Sequence, residues 1–157
     1  MKKIKPKPKK LKISACYIVK NSADDLKISL ESLQKSVDEI IVVDTGSTDS
    51  TVEVAEKFGA KIFYREWDDD FSAPRNLALE KATGDWIIFL DADEFFTNVT
   101  KKNIRAAIEQ LEKFKQSGLL VHLVNIDKNA GNKILDAHFV LRIFKNQKNL
   151  YTQRRKK

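Results

Sequence analysis

One stretch of the chain, residues 86–94, constrains the fold more than any other. It begins with five consecutive apolar residues, WIIFL, and continues into an acidic segment, DADE. An uninterrupted apolar run of this length predicts a strand that is buried on both faces, as in a parallel sheet. Ligands in open α/β sheets bind at the carboxyl ends of the strands. The acids after residue 90 therefore stand where such a sheet places its functional site.

Two of these acids, Asp91 and Asp93, are two residues apart. In an extended chain this spacing points both side chains to the same side. Two adjacent carboxylates repel each other unless a cation or a hydrogen-bond donor lies between them. A hard divalent cation that carries a diphosphate has the charge and the oxygen preference for this position. The pair is therefore a candidate site for a metal ion with a phosphorylated ligand.

The pattern before residue 94 alternates between strand and helix. Periodic leucines predict a helix that begins with a capping box at Ser22 to Asp25, and Ser72 is expected to cap a helix that runs to Ala82. The alternation predicts an α/β fold, a mostly parallel sheet flanked by helices. After residue 94 we expect one helix opened by Thr100 and a small antiparallel addition at the C-terminal end. The predicted strands cover residues 13–19, 40–43, 61–64, 86–90, 119–126 and 134–144.

The composition indicates one domain with basic ends. The chain has 157 residues, with 29 basic against 22 acidic residues, and this length suffices for one sizeable core. Eleven of the basic residues lie in residues 1–12 and 154–157, which leaves 18 for the remainder. We predict a basic disordered tail at 1–12, a folded domain at 13–150 and a basic tail at 151–157. Solvated tails are favoured over peripheral contact with anionic lipid at the inner face of a membrane, or with nucleic acid.

Cysteine usage and hydropathy bear on the compartment. The single Cys16 cannot form an intramolecular disulfide, which fits a reducing compartment, and its apolar neighbours predict an inert core residue. No apolar run is long enough to cross a bilayer, and the Lys-rich start lacks the apolar part of a signal peptide. The sequence therefore favours a cytoplasmic protein.

Polar residues follow three of the predicted parallel strands. The first strand ends near Lys20 and Asn21, the second at Asp44 and the fourth at Asp91. The glycine-rich fingerprints of phosphate-binding loops are missing from the sequence. A metal ion is therefore the expected holder of the phosphates.

The segment from Ile13 to Glu94 resembles the amino-terminal portion of a family-2 glycosyltransferase of the GT-A fold, an inverting enzyme that uses nucleotide-diphosphate sugars. Four motifs carry the resemblance, in the family's order and at compatible spacing. They are Ser14 with residues 18–21 (IVKN), residues 38–49 (DEIIVVDTGSTD), residues 73–76 (APRN) and residues 84–94 (GDWIIFLDADE). The resemblance implies a GT-A-like, Rossmann-like sheet, and it covers about half of the chain.

The resemblance also implies which residues bind the nucleotide. Ile18, Val19 and Asn21 would line the nucleoside pocket. Asp44 would accept a hydrogen bond from the base, and Arg75 would lie near the nucleotide. The implied donor is a nucleotide-diphosphate sugar, with a UDP-sugar favoured. The implied acceptor is a glycan, a lipid or a protein, as in cell-envelope or glycan biosynthesis.

By the same resemblance, Asp91 and Asp93 form the family's DxD pair. Asp93 would be the direct ligand of Mn²⁺ or Mg²⁺, and Asp91 would lie nearer the ribose or a metal-bound water. Breaking the bond from sugar to phosphate builds negative charge on the departing diphosphate, and a divalent cation stabilises that charge.

Several of these residues have simpler structural interpretations. Asp44 could cap the helix that follows it. Arg75 could form a solvated ion pair with Asp70 or Glu80. The two histidines, which lie in strand-like segments, are more simply core or surface residues than ligands. The acidic run that ends at Asp70 is more simply a solvated segment than a second metal site.

The general base is the point at which the chain departs from the family pattern. An inverting transfer needs a base for the acceptor hydroxyl, and the family places it beyond the metal motif. Residues 141–146 (LRIFKN) resemble the family's late strand, but no carboxylate or histidine follows Asp136 and His138. Either a residue such as Asp136 or Glu94 is the base, or the chain is a truncated fragment. We favour truncation, so the catalytic residue stays unassigned.

Two other hypotheses compete with a glycosyltransferase. A phosphatase of the haloacid-dehalogenase type also has an Asp-x-Asp at a strand end, but it requires Thr or Val where Phe95 stands. A non-catalytic module that binds a nucleotide, or nucleic acid through the basic tails, is the second alternative. RNA affinity that falls steeply with salt would support it.

Overall fold

The computed structural model describes residues 10–147, so the predicted tails lie largely outside the described residues. Within this range, strands and helices alternate as far as the fourth strand, and a long hairpin closes the chain. In order, the elements are β1 (Ile13–Val19), α1 (Ala23–Leu33), β2 (Glu39–Asp44), α2 (Thr51–Lys57), β3 (Lys61–Tyr64), α3 (Ser72–Lys81), β4 (Trp86–Asp91), α4 (Asn98–Lys113), β5 (Gly118–Asp127) and β6 (Lys133–Lys145).

All six strands form one mixed sheet in the order β3-β2-β1-β4-β6-β5. The four strands β1 to β4 are parallel to one another, and β6 runs antiparallel to both β4 and β5. The predicted fold class, a mostly parallel sheet with a small antiparallel addition, is confirmed. Because β4 and β6 pair only between residues 86–88 and 143–145, most of the β5–β6 hairpin extends beyond the parallel part of the sheet.

The core lies on both faces of the parallel strands, because their side chains alternate between two helical layers. Tyr17 and Ile88 belong to the face that α1, α2 and α4 cover, whereas Cys16 and Phe89 face α3. Cys16 is fully buried, and burial raises the pKa of its thiol. The prediction of a core cysteine is confirmed. Burial of these continuous apolar runs supplies the main driving force for folding.

The capping box predicted at the start of α1 does not form. The Ser22 hydroxyl donates to the carbonyl of Lys20 instead of accepting from the first helical turn. The free N–H groups at this helix start donate to side chains at and just before the start of α2, from Ser22 to Thr51 Oγ1 (2.8 Å) and from Ala23 to Asp49 Oδ2 (3.3 Å). Side chains that are distant in sequence therefore accept the hydrogen bonds that the pattern assigned to a local cap.

Two further helix starts also differ from the predicted ones. Ser72 is the first residue of α3, and its N–H donates to Asp70 Oδ1 at 2.9 Å. Helix α4 begins at Asn98, two residues before Thr100, because Thr97 Oγ1 accepts from the Thr100 N–H. Both corrections move a helix start by two residues or fewer and leave the predicted elements in place.

Glu39, at the start of β2, connects three strands and a loop. Its side chain is 3 % exposed and accepts from Lys61 Nζ (2.7 Å), Ser14 Oγ (2.6 Å) and the Thr83 N–H (2.8 Å). Burial alone would raise the pKa of this carboxyl, but these hydrogen bonds lower it from 4.5 to about 2. The carboxylate is therefore stably ionised at neutral pH.

Gly84 is a second contact point at this end of the sheet. A Cβ atom at this position would lie 2.6 Å from Ser14 Oγ and 2.7 Å from Ser14 N. Because backbone cannot move away easily, we expect Gly84→Ala to lower the free energy of unfolding by about 1–3 kcal/mol. Urea unfolding measures this. A change below about 0.5 kcal/mol, the usual range for surface substitutions, would contradict it.

The β5–β6 hairpin turns at Lys128–Ala130, a short 3₁₀ segment followed by Gly131 in the left-handed region. Lys128 Nζ lies 2.8 Å from Asp25 Oδ1 on α1, which ties the turn of the hairpin to the helix layer. Several apolar side chains of the hairpin are exposed, among them Phe139 at 69 %. In the part of the chain that the structure describes, no helix is long and apolar enough to cross a bilayer.

Candidate nucleotide and metal site

The ends of three neighbouring strands place the predicted polar residues along one edge of the sheet. Strand β1 lies between β2 and β4, with Val19 opposite Asp44 and Ile18 opposite Asp91. Since adjacent strands are about 4.8 Å apart, the backbones at Asp44 and Asp91 are roughly 10 Å apart. The two acids therefore stand on either side of the end of β1, as the sequence predicted for a ligand-binding edge.

The loop after β2 is built around Asp44. Its Oδ1 accepts from the N–H groups of Gly46 and Ser47, both at 3.0 Å, and Gly46 has a φ of 104°. Helix α2 begins only at Thr51, so Asp44 orders the turn and does not cap the helix. Asp44 Oδ2 is buried and has no hydrogen-bond partner among residues 10–147. A buried carboxylate oxygen without a donor is costly, and a ligand N–H would satisfy it.

Asn21 joins the loop after β1 to the loop after β2. Its Oδ1 accepts from the Thr48 N–H at 2.7 Å, and its own N–H donates to Ser47 Oγ at 2.9 Å. These bonds hold Asn21 at a positive φ of 48°. The structure therefore gives Asn21 a loop-positioning role beside the predicted pocket.

A cleft of about 260 Å³ opens at the end of β1. It is lined by Ile18, Val19, Lys20, Thr45, Trp67 and Phe71. The first two of these are predicted pocket residues. The aromatic rings of Trp67 and Phe71 meet edge to face with their centroids 4.6 Å apart. The cleft therefore combines an apolar floor with an aromatic wall.

The sequence analysis did not assign the aromatic wall to the site. Trp67 and Phe71 lie in the loop between β3 and α3, which begins where the Arg65 N–H donates to the carbonyl of Asp44. The acids between them have local partners. Asp69 accepts from Trp67 Nε1 at 3.0 Å and is exposed, which fits the interpretation of this run as a solvated segment. The available signal was the pair of aromatic residues that interrupt an otherwise polar loop.

The acidic segment after β4 forms a turn. The strand ends at Asp91, and the Glu94 N–H donates to the carbonyl of Asp91 at 3.0 Å. The Glu94 side chain folds back, and its Oε2 accepts from the Asp91 N–H at 3.1 Å. Because the chain turns here, the extended-chain argument for the direction of Asp91 and Asp93 does not apply. Asp93 is exposed near the corner of the turn.

Arg142 of β6 contacts this turn, and the sequence analysis did not identify it. Its Nη2 donates to Asp91 Oδ2 at 2.8 Å and to Glu94 Oε1. Burial would lower the pKa of the guanidinium, but Glu94 and Asp91 raise it. The only sequence signal was its place in the late strand, 51 residues after Asp91.

Arg75 lies on the α3 face of β4. Its guanidinium carbon is 4.6 Å from the centroid of the Phe89 ring, and Phe89 precedes Asp91 by two residues on the same strand. The acids that could have paired with Arg75 have other partners, the Ser72 N–H for Asp70 and Lys81 for Glu80. A position close to Asp91 fits the predicted place of Arg75 near the nucleotide.

A cation at this edge would need ligands from a bound molecule or from water in addition to protein carboxylates. Among residues 10–147, no three His, Cys, Asp or Glu side chains come together as a complete metal site. Mg²⁺ and similar hard cations bind through one or two carboxylates together with substrate phosphates and water. The carboxylates of Asp91 and Asp93 are of the type and number that such a cation takes from a protein.

The two histidines and Asp136 lie on the projecting hairpin. His138 Nδ1 is 2.9 Å from Asp136 Oδ2, and the His122 ring stacks on Phe139 with a centroid distance of 5.1 Å. All of these residues are exposed. The two histidines are therefore surface residues, one of the two simpler interpretations that the sequence offered.

This fold is that of a GT-A domain, and solved structures of that class match the chain. A structure of Staphylococcus aureus TarS in complex with UDP is 27% identical, has a TM-score of 0.58 and covers 70% of this chain and 35% of that one. Mannosyltransferase PcManGT from Pyrobaculum calidifontis, in complex with GDP-Man and Mn²⁺, is 19% identical with a TM-score of 0.55, which establishes a common fold. That match covers 65% of this chain and 32% of the mannosyltransferase.

Residues 14–156 match the model of glycosyl transferase family 2, and the chain belongs to that family. It is 46% identical over 100 residues to a TPR repeat-containing protein of Synechococcus elongatus, across 64% of this chain and 25% of the relative. It is 38% identical over 104 residues to glycosyltransferase SunS of Bacillus subtilis, across 65% of this chain and 25% of SunS. The matched part thus spans about a quarter of either relative. The family predicted from the four motifs is confirmed.

Proposed function

We propose that this chain is the donor-binding portion of a glycosyltransferase that takes a nucleotide-diphosphate sugar, with UDP-sugars favoured. The observation that carries the proposal is the line of strand ends at which Asp44 and Asp91 flank the cleft beside β1. Asp44 can accept an N–H from a nucleobase at one end of this line, and a cation held by carboxylates can bind a diphosphate at the other end. Family membership favours this function over the phosphatase and the non-catalytic module.

The nucleoside is proposed to occupy the cleft at the end of β1. Ile18 and Val19 form its floor, and Trp67 offers a ring for stacking. The unpartnered Asp44 Oδ2 accepts an N–H from the base. Uracil has such an imide N–H, and the UDP complex of TarS, a relative of the same fold, supports a uridine nucleotide. Asn21 acts through the two loops that it joins.

The diphosphate is proposed to lie at the end of β4. Asp93 would hold a divalent cation, Mn²⁺ or Mg²⁺, with Asp91 nearer the ribose or a metal-bound water and Arg75 on the adjoining face. The cation, when bound, stabilises the negative charge of the departing diphosphate as a Lewis acid. The preference of Asp carboxylates for hard cations supports this arrangement, and the Mn²⁺ complex of PcManGT agrees with it.

Neither candidate base on this chain has the surroundings that the role requires. Glu94 is held by Arg142 and by the Asp91 N–H, and Asp136 pairs with His138 on the exposed hairpin. We therefore propose that the base and the acceptor site are supplied outside residues 10–147. The acceptor class, whether glycan, lipid or protein, is set there as well.

Fluorescence of Trp67 tests the proposed nucleoside position. The chain has two tryptophans, and Trp86 is fully buried at the opposite end of β4. UDP added in Mn²⁺ should change the tryptophan emission, because a base that stacks on Trp67 alters its surroundings. Trp67→Phe should abolish this change, and Trp67→Ala should weaken UDP binding roughly tenfold by calorimetry. A full fluorescence response in Trp67→Phe would contradict the placement, and titration with Mn²⁺ alone gives the blank.

A further inference from the structure

Arg142 is set at the junction between the antiparallel hairpin and the end of β4. The next residue, Ile143, pairs with Ile88, so Arg142 lies beside the last residues of β4. Its side chain is only 11 % exposed, although it belongs to a hairpin whose other residues are mostly exposed. A buried guanidinium is costly unless carboxylates compensate it, and here two carboxylates do so.

The two carboxylates that Arg142 contacts are fixed on several sides. Glu94 donates through its N–H to the Asp91 carbonyl, and its Oε2 accepts from the Asp91 N–H. Its own carbonyl accepts from Ser29 Oγ of α1. The turn is therefore held by α1, by its own backbone and by Arg142 of β6.

The charge balance of the turn singles out one acid. Residues 91–94 carry three carboxylates, and one guanidinium nitrogen is shared by Asp91 and Glu94. Asp93 lies between these two in sequence and is exposed. Asp93 makes no ion pair among residues 10–147, although the charge of Lys128, which pairs with Asp25, also acts on it. Asp93 is therefore the carboxylate of the turn that stays open to the proposed cation.

The contacts of Arg142 also leave one of its own donors unused. Within residues 10–147, its Nε is buried without a hydrogen-bond partner. A buried donor without an acceptor costs free energy of folding. The guanidinium is instead oriented so that Nη2 reaches both acids of the turn.

We propose that Arg142 is a positioning residue of the donor site. It holds Asp91 and Glu94 away from the cation, leaves Asp93 as the carboxylate that binds it, and adds positive charge where the diphosphate lies. This inference rests on the proposed function. The inference also assigns the hairpin a role in the donor site, because β6 places Arg142 beside the end of β4.

The test compares Mn²⁺ alone with UDP in saturating Mn²⁺, for the wild-type chain and Arg142→Gln. Electron paramagnetic resonance measures free Mn²⁺, and calorimetry measures UDP binding. In Arg142→Gln, Asp91 and Glu94 become available, so Mn²⁺ alone should bind about threefold tighter or more. UDP in Mn²⁺ should bind about tenfold weaker, because the turn and the local positive charge are lost.

Two further variants separate positioning from a purely structural role. Arg142→Lys keeps the charge, so its affinity for Mn²⁺ alone should stay near the wild-type value, with UDP affinity partly restored. Lys145→Gln is the matched control, because Lys145 lies on the same strand as Arg142 but pairs with Glu112 of α4 at 2.9 Å, beside the start of β4. It should leave both affinities unchanged.

The experiment separates failure of the Arg142 inference from failure of the proposed function. If the wild-type chain shows no Mn²⁺-dependent binding of UDP, the proposed function fails. If the wild-type chain binds and Arg142→Gln binds UDP within about twofold of it, the role of Arg142 alone is overturned. A parallel loss of both affinities, or failure of both Arg142 variants to unfold cooperatively, would assign Arg142 to folding and also overturn the inference.

Discussion

Asp93→Asn should remove most of the stabilisation that UDP gives the wild-type chain in the presence of Mn²⁺. A ligand at about a hundred times its dissociation constant adds roughly 2.7 kcal/mol to the free energy of unfolding. For a chain of this size, that corresponds to a rise of roughly 5–10 °C in Tm. Asparagine keeps the shape of the side chain but removes the charge that a hard cation requires. Thermal unfolding with UDP, with and without Mn²⁺, measures the difference.

The stability of the ligand-free variant separates binding from folding in this experiment. Asp93 is exposed, so Asp93→Asn should unfold within about 0.5 kcal/mol of the wild-type chain when no ligand is present. Glu56→Gln makes the same chemical change at an exposed position of α2 and should keep the full response to UDP. A Mn²⁺-dependent rise that survives in Asp93→Asn would move the cation to Asp91 or to other ligands.

The strands of the parallel sheet could be predicted because their signal is local. The runs at residues 13–19 and 61–64 coincide with β1 and β3, and the acidic segment begins where β4 ends. Helix starts were less predictable, since the partners of their free N–H groups need not be local. The N–H groups of Ser22 and Ala23 donate to Thr51 and Asp49, which lie at and just before the start of α2. No capping pattern within α1 contains that information.

The residues of the candidate site also differ in whether a local sequence signal could place them. Asp44, Ile18 and Val19 could be placed from strand ends, because parallel strands bring their carboxyl ends to one edge. The reach of Arg142 to Asp91 depends on β6 returning antiparallel beside β4, a pairing across 51 residues. The pattern of a half-exposed hairpin does not specify that neighbour. Likewise, the proposed role of Trp67 depends on how the β3–α3 loop places its ring at the cleft beside β1.

Glu39→Gln should produce the largest loss of stability, about 3 kcal/mol at pH 7. The pKa of Glu39 falls from 4.5 to about 2 in the folded chain, and each unit of pKa shift corresponds to about 1.4 kcal/mol. Glutamine also places an NH₂ donor against the donors of Lys61, Ser14 and Thr83. At least one of these groups then loses its acceptor, which adds to the cost. Urea unfolding at pH 7 measures the difference.

The acid dependence of stability provides an independent check on Glu39. Because its folded pKa lies below the unfolded value, the carboxylate contributes its full stabilisation above about pH 4.5 and loses it as the pH falls toward 2. The wild-type chain should therefore lose more stability across this window than Glu39→Gln does. Glu53→Gln, an exposed substitution on α2, should follow the wild-type curve. Equal acid dependence in Glu39→Gln and the wild-type chain would mean that other carboxylates control the stability of the fold in acid.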